Sequence, residues 1–277
     1  MGTLAGLVND WFAARFVSVA KTVACSSLLL TFGAVAQTSS TGLIDAVLRV
    51  KPSIVIVGTF KATNSPRFTL RGTGFVAGDG NFAVTNAHVI PEGQEKDPES
   101  KIVVQIRTAQ NELQARVATI LEIDKLRDLA LLQFDGPPAP KLTLRDSDMV
   151  REGQSIAFMG FPIGGALGFS PVTHRGIISS ITAITPPSSS ASQLNARNIA
   201  SLRSGVFNVF QLDATAYPGN SGGPMFDADS GEVLGVINMV FIKGTKESAL
   251  THPSGISYAI PSKYVMDLLS RHKTPAK

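Results

Sequence analysis

The 277-residue chain has one cysteine and one tryptophan, and only 17% of its residues are charged. A single thiol excludes an intramolecular disulfide, so a hydrophobic core alone must hold the fold. The net charge is +4, with no cluster of Lys and Arg of the kind a nucleic-acid groove needs, which leaves nucleic-acid binding without support. No group of His, Asp and Glu has metal-ligand spacing, so no metal is expected. Gly160-Phe161-Pro162-Ile163-Gly164-Gly165 lacks the Gly-Lys-Ser/Thr ending of a phosphate-binding loop. Internal repeats are missing too, as is the alternation of strands and helices that a parallel sheet requires. What is present is apolar and turn-rich. Hydrophobic residues make up 44%, which rules out disorder for the chain as a whole. The 25 glycines and 16 prolines fall between short apolar runs, favouring a β protein over a helical bundle.

Residues 1–36 read as an export signal. Arg15 and Lys21 precede an uncharged stretch, Thr22 to Ala36, that contains Leu28-Leu29-Leu30 and ends in the small-x-small pattern Ala34-Val35-Ala36. This stretch is shorter than the ~20 apolar residues a spanning helix requires. A retained anchor, or a membrane-surface helix from Trp11 to Val19, is the competing reading and would associate residues 11–36 with a membrane. Cys25 is a poor lipidation site, because most of the apolar run follows it. Removing 36 of the 277 residues leaves 241, beginning at Gln37. The expected location is periplasmic or secreted, or membrane-anchored if the leader is kept.

After a polar linker at Gln37–Gly42, the residues Leu43, Ile44, Val47 and Leu48 recur at helical spacing, ended by Pro52. Strands dominate thereafter. Residues 53–60 are β-branched and apolar, and 102–107 and 113–117 alternate with the period of half-buried strands. Further strands are expected at 68–76, 82–86, 117–122, 128–134, 155–160, 173–184, 206–213, 223–226, 233–241 and 255–260. Breakers such as Gly78-Asp79-Gly80, Pro137-Pro138 and Pro186-Pro187 separate them. Such a series fits an all-β fold of two antiparallel barrels, one within residues 37–145 and one within 146–277. Ser262 to Arg271 reads as a closing helix that starts at Pro261 and packs through Val265, Leu268 and Leu269. The Ser/Asn-rich stretch 187–205 reads as an exposed loop.

Three segments carry reactive groups. Gly72-Thr73-Gly74-Phe75 is followed by Ala83-Val84-Thr85-Asn86-Ala87-His88-Val89; the others are Asp128-Leu129-Ala130-Leu131-Leu132 and Pro218-Gly219-Asn220-Ser221-Gly222-Gly223-Pro224. They supply an imidazole, a carboxylate and a hydroxyl, in the chain order His88, Asp128, Ser221. A serine hydroxyl is a weak nucleophile and needs a neighbouring base. An imidazole takes its proton and later gives it to the leaving amine. A buried carboxylate fixes the imidazole tautomer and stabilises the imidazolium. The glycines around Ser221 allow a sharp turn at Gly219-Asn220-Ser221 that aims the Gly219 and Ser221 amides at a developing oxyanion. Asp124 competes for the acid role, whereas His174, His252 and His272 read as solvated loop or tail residues.

With these segments on view, the chain resembles the trypsin-like serine proteases of the HtrA/Deg family over about residues 43 to 270. The resemblance extends to Val50-Lys51-Pro52-Ser53-Ile54-Val55, Gly176-Ile177-Ile178-Ser179 and Gln211-Leu212-Asp213-Ala214, and to Gly255-Ile256-Ser257-Tyr258-Ala259-Ile260-Pro261-Ser262. It implies two six-stranded barrels with the active site between them, a Ser-His-Asp endopeptidase, unfolded or damaged polypeptides as substrates, and no cofactor. A catalytically silent barrel protein that binds such chains is the alternative. The family includes trimers built through N-terminal segments, so Leu43–Pro52 is either an assembly surface or a packed helix. Residues 160–165 correspond to a mobile loop beside the active site. Two departures stand out. The sequence runs only 16 residues beyond Pro261, so the PDZ domains of many members are not expected. The second departure is the loop at 187–205 together with the segment Lys243–Ser254, which is longer than expected.

The implied substrate pocket is walled by Thr215, Ala216 and Tyr217, by Asn238, Met239 and Val240, and by Ile256. None of these is charged, and Val240 and Ile256 narrow the space, so small or medium apolar P1 residues are expected. Asn220 stands where secreted digestive relatives carry an Asp that pairs with a new N-terminal ammonium. A neutral amide cannot make that pair, so no proteolytic activation beyond signal removal is expected.

Overall fold

The computed structural model describes residues 42–94, 97–165, 169–184, 206–238 and 256–272. The proposed leader, most of the linker after it, the loop at 187–205 and the segment Lys243–Ser254 lie outside the described residues. A helix, α1 (Gly42–Val50), comes first. Six strands follow: β1 (Ile54–Lys61), β2 (Phe68–Ala77), β3 (Phe82–Thr85), β4 (Ser100–Arg107), β5 (Leu113–Asp124) and β6 (Leu129–Phe134). They close into an antiparallel barrel in the order β1-β2-β3-β6-β5-β4. A second closed barrel, β10-β11-β12-β9-β8-β7, is built from β7 (Ser155–Gly160), β8 (Val172–Ile184), β9 (Phe207–Asp213), β10 (Pro224–Asp227), β11 (Val233–Asn238) and β12 (Ile256–Pro261). The helix α2 (Ser262–Arg271) ends the described chain. The segments expected as separate strands at 113–117 and 117–122 form one strand, β5, with a register irregularity between Ile120 and Glu122 against β6.

Why the apolar runs do not alternate is visible on β1. Val55 and Val57 fill the first barrel with Val76, Val104, Leu132 and Phe134. Ile54 and Ile56 point the other way, into a core shared with Ala157, Met159, Phe226 and Val236 of the second barrel. A strand buried on both faces reads as a continuous apolar run. Each such side chain contributes about 1.5–3 kcal/mol on burial, so this shared core is what fixes one barrel against the other. The second barrel has its own interior of Ile156, Phe158, Ile178, Phe210, Leu212 and Ile237.

The two helices join opposite barrels. In α1, Ala46 and Val50 enter the shared core, and Arg49 donates to the carbonyls of Asp229 and Ser230 at 3.0 and 3.1 Å. Thus α1 precedes the first barrel in sequence yet docks on the β10–β11 turn of the second. Its outer face leaves Ile44 and Leu48 exposed. In α2, Val265, Leu268 and Leu269 are buried as the periodicity predicts. This helix reaches the first barrel: Arg271 and His272 both pair with Glu122 of β5, and the Arg127 guanidinium lies 4.5 Å over the Tyr264 ring. The β5–β6 turn, from which Asp128 emerges, is thereby held from outside.

Candidate active site

Strand β3 ends at Thr85, and Asn86 leads into a short 3-10 turn, Ala87–Val89, that carries His88. The Asn86 side chain and the Ala87 amide both donate to the Asp128 carbonyl, at 2.9 and 3.2 Å. Asp128 itself sits in the left-handed region, φ 54°, a conformation that Asp tolerates better than most side chains. This backbone aims its carboxylate at His88. Oδ1 accepts from the His88 amide at 2.8 Å, and Oδ2 lies 2.6 Å from the ring Nδ1. A carboxylate only accepts, so Nδ1 carries a proton, and in the neutral ring it is Nε2 that holds the lone pair. The competing Asp124 is committed elsewhere, to the Arg127 amide and guanidinium at 3.1 and 2.7 Å.

Ser221 lies in the β9–β10 connection and is buried. Pro218 and Gly219 occupy the centre of a turn closed by the Asn220 amide on the Tyr217 carbonyl, at 2.9 Å. Gly219 has φ +103°, which the third position of a type II turn requires. Each carbonyl of the turn is turned away and engaged. Ile163 N–H donates to the Pro218 carbonyl at 2.7 Å, and the Thr73 hydroxyl donates to the Gly219 carbonyl at 2.6 Å. Thr73 in turn accepts from the Phe161 amide at 3.0 Å. Among the described residues, the N–H groups of Gly219 and Ser221 meet no acceptor.

The serine turn is packed directly on the first barrel. Thr73 N–H donates to the Ser221 carbonyl at 2.9 Å. Gly222, at φ +86°, comes so close that a Cβ would stand 2.1 Å from the Thr73 carbonyl oxygen and 2.3 Å from Thr85 Oγ1. Only glycine fits there. Ser221 therefore adjoins the end of β3, from which the His88 turn departs. Beside the His88 turn runs an open groove of about 1050 Å³ whose lining includes Arg71, His88, Pro91, Gln94, Ile123 and Asp128.

Of the expected pocket residues, Ala216 is buried and Thr215 and Tyr217 are half-buried. Ser257 holds this wall straight, donating to the Ala214 carbonyl at 2.7 Å and accepting from the Ala216 amide at 2.8 Å. Met239, Val240 and the Ile256 side chain lie outside the described residues. Asn238 has a use that the sequence reading missed. Its buried side-chain amide reaches from β11 to the first barrel and donates to Asp128 Oδ2 at 2.7 Å. No local signal announces this, because the two residues are 110 positions apart.

Two of the histidines read as solvated are not. His272 pairs with Glu122 at 2.8 Å. His174 lies on β8 with its ring stacked on Phe158, centroids 4.7 Å apart, and its Nε2 3.4 Å from Asn220 Nδ2. Burial pushes this imidazole below its ordinary value of 6.5. His252 is outside the described residues.

Known proteins similar to this chain point to one family. Residues 72–236 match the family model described as trypsin-like peptidase domain. A "Probable periplasmic serine endoprotease DegP-like" of Halomonas elongata is 32% identical over 71% of this chain and 34% of its own length. A protein of the same name from Marinomonas sp. is 30% identical over 74% of this chain and 36% of its own. The chain thus spans about a third of the length of these relatives. Among solved structures, the HtrA-type protease AlgW with tripeptide superposes with a TM-score of 0.58 at 26% identity, covering 82% of this chain and 62% of that one. A family model that reaches from the first barrel into the second, the shared double-barrel architecture and these relatives lead to one assignment: the chain belongs to the trypsin-like peptidase domain family, of the HtrA/Deg type.

Proposed function

We propose that this chain is an exported serine endopeptidase that cuts unfolded or damaged polypeptides through an acyl-enzyme, without a cofactor. The observation that carries the reading is the His88–Asp128 pair at 2.6 Å, standing beside the strand end on which the Ser221 turn is packed. With Nδ1–H tied to Asp128, His88 Nε2 is the base that takes the Ser221 hydroxyl proton as the oxygen attacks a substrate carbonyl. The negative charge that develops on that carbonyl oxygen meets the Gly219 and Ser221 N–H groups, whose neighbours in the turn are all engaged. Removing one such donor typically costs about 3 kcal/mol of barrier. The imidazolium then gives its proton to the leaving amine, and a water activated by the same nitrogen releases the acyl group from Ser221. Asp128 stabilises the imidazolium in both halves of the cycle.

The uncharged wall at Thr215–Tyr217 favours apolar P1 side chains. Export is supported by the leader-like residues 1–36 and by relatives named as periplasmic; among the described residues, no helix is long and apolar enough to cross a membrane. A fluorophosphonate probe tests the reading. The wild type is expected to label and Ser221→Ala to lose the label. A folded wild type that stays unlabelled would make the chain a silent binding module instead.

A further inference from the structure

His174 takes no part in the acyl-transfer steps, yet it lies against the turn that performs them. It pairs across β7–β8 with Phe158, on whose ring it stacks at an interplanar angle of 13°, and it meets the Tyr217 ring at 6.1 Å. Its Nε2 is 3.4 Å from the Asn220 side-chain nitrogen. Asn220 is fully buried, and its main chain is already used: the amide closes the turn on Tyr217, and the carbonyl accepts from Gly223, both at 2.9 Å. The other end of its side chain is wedged, since Oδ1 would stand 2.8 Å from a Cβ at Gly160. That oxygen is buried without a partner, so His174 is the single polar contact of the Asn220 side chain among the described residues.

We propose that His174 is a positioning residue for the oxyanion turn: its unprotonated Nε2 accepts the Asn220 side-chain amide and so keeps the Gly219 and Ser221 N–H groups aimed at the reacting carbonyl. An amide N–H needs a lone pair opposite it, and a protonated imidazole offers another N–H instead. The two donors would then face each other inside the protein, with a buried amide left unpaired at both ends, and the turn would lose its anchor. Burial disfavours the charged ring and lowers its pKa below the ordinary 6.5. Of the groups that face it, Phe158 on β7 and Tyr217 and Asn220 on the turn, only the phenol titrates, and a phenol carries no charge in acid. On β8 itself, Arg175 is exposed. The inference rests on the reading of Ser221 as nucleophile.

Two variants test it. His174→Leu keeps apolar volume without the acceptor; His174→Gln keeps an acceptor that does not titrate. Peptide hydrolysis is measured from about pH 5 to 9, with probe labelling and thermal midpoints alongside. His174→Leu is expected to lower kcat about 10- to 100-fold with KM little changed, the scale of a misaligned site. His174→Gln is expected to recover most of that loss, and below neutrality its activity falls less steeply than the wild type's. Equal kcat in His174→Leu and wild type would overturn the proposal. So would a loss that follows the thermal midpoint and is not recovered by Gln, or an acid limb unchanged in His174→Gln. A wild type that neither labels nor cleaves overturns the peptidase reading and this inference together; an active wild type indifferent to position 174 overturns this inference alone.

Discussion

Replacing Asn238 tests whether the second barrel serves the acid of the first. Asp128 Oδ2 accepts both His88 Nδ1 and Asn238 Nδ2, at 2.6 and 2.7 Å, and Asn238 is fully buried. A hydrogen bond to a charged group is worth about 1.5–3 kcal/mol. If that is expressed in the transition state, Asn238→Ala lowers kcat about 10- to 100-fold. Asn238→Asp is harsher. It sets two carboxylates roughly 3 Å apart, a repulsion of about 6 kcal/mol at an effective dielectric constant near 20, so the pair keeps one proton well above the usual carboxylate range. The folded state then binds more protons than the unfolded one from about pH 4 upward, and stability falls as pH rises. Peptide hydrolysis and thermal midpoints between about pH 5 and 8 read both effects. An Asn238→Ala enzyme within twofold of the wild-type kcat, or an Asn238→Asp protein with the wild-type pH dependence of unfolding, would refute the reasoning.

Other expectations concern packing and acid stability. Gly222→Ala places a methyl 2.1 Å from the Thr73 carbonyl oxygen at a left-handed backbone position, so the serine turn must lift off the first barrel. A loss of about 3–5 kcal/mol in denaturant unfolding is expected, together with loss of probe labelling; a stable, labelling variant would contradict the packing. Asp227 organises the β10–β11 turn on which α1 docks. Burial raises its pKa, but amide donors from Ser230 and Asp229, the Gln154 side chain and Arg145 outweigh that and leave it below the ordinary 3.8. Its stabilising contribution is therefore complete above that value and lost as pH falls through the lower folded-state value. Asp227→Asn is expected to cost about 1–3 kcal/mol near neutrality and to flatten acid unfolding; an acid transition as steep as the wild type's would count against it.

Much of the strand plan was legible because it is local. Ser262 to Arg271 folds as the helix that its apolar spacing describes, and β7 occupies the residues expected of it. The 113–117 and 117–122 pair was misread because the apolar alternation changes phase at Val117-Ala118, the first exposed and the second buried, and an interrupted alternation resembles a strand boundary. The serine segment was legible for a different reason. Its glycines answer close approaches and a left-handed turn, demands that leave a mark on residue type. The other histidines left no such mark: a half-buried His174 and a solvated histidine look alike in a list of residues.

The sequence by itself determined the apolar periodicity, the turn chemistry and the order in which imidazole, carboxyl and hydroxyl enter the chain. All three act between near neighbours, or are read from residue type alone. Only the closed barrels decided that Asn238 attends Asp128, that His174 lies against Asn220, and that α1 docks on the barrel farther from it in the chain. Those partners are separated by 110, 46 and 180 positions, and no pattern within a strand encodes which distant strand end it will meet.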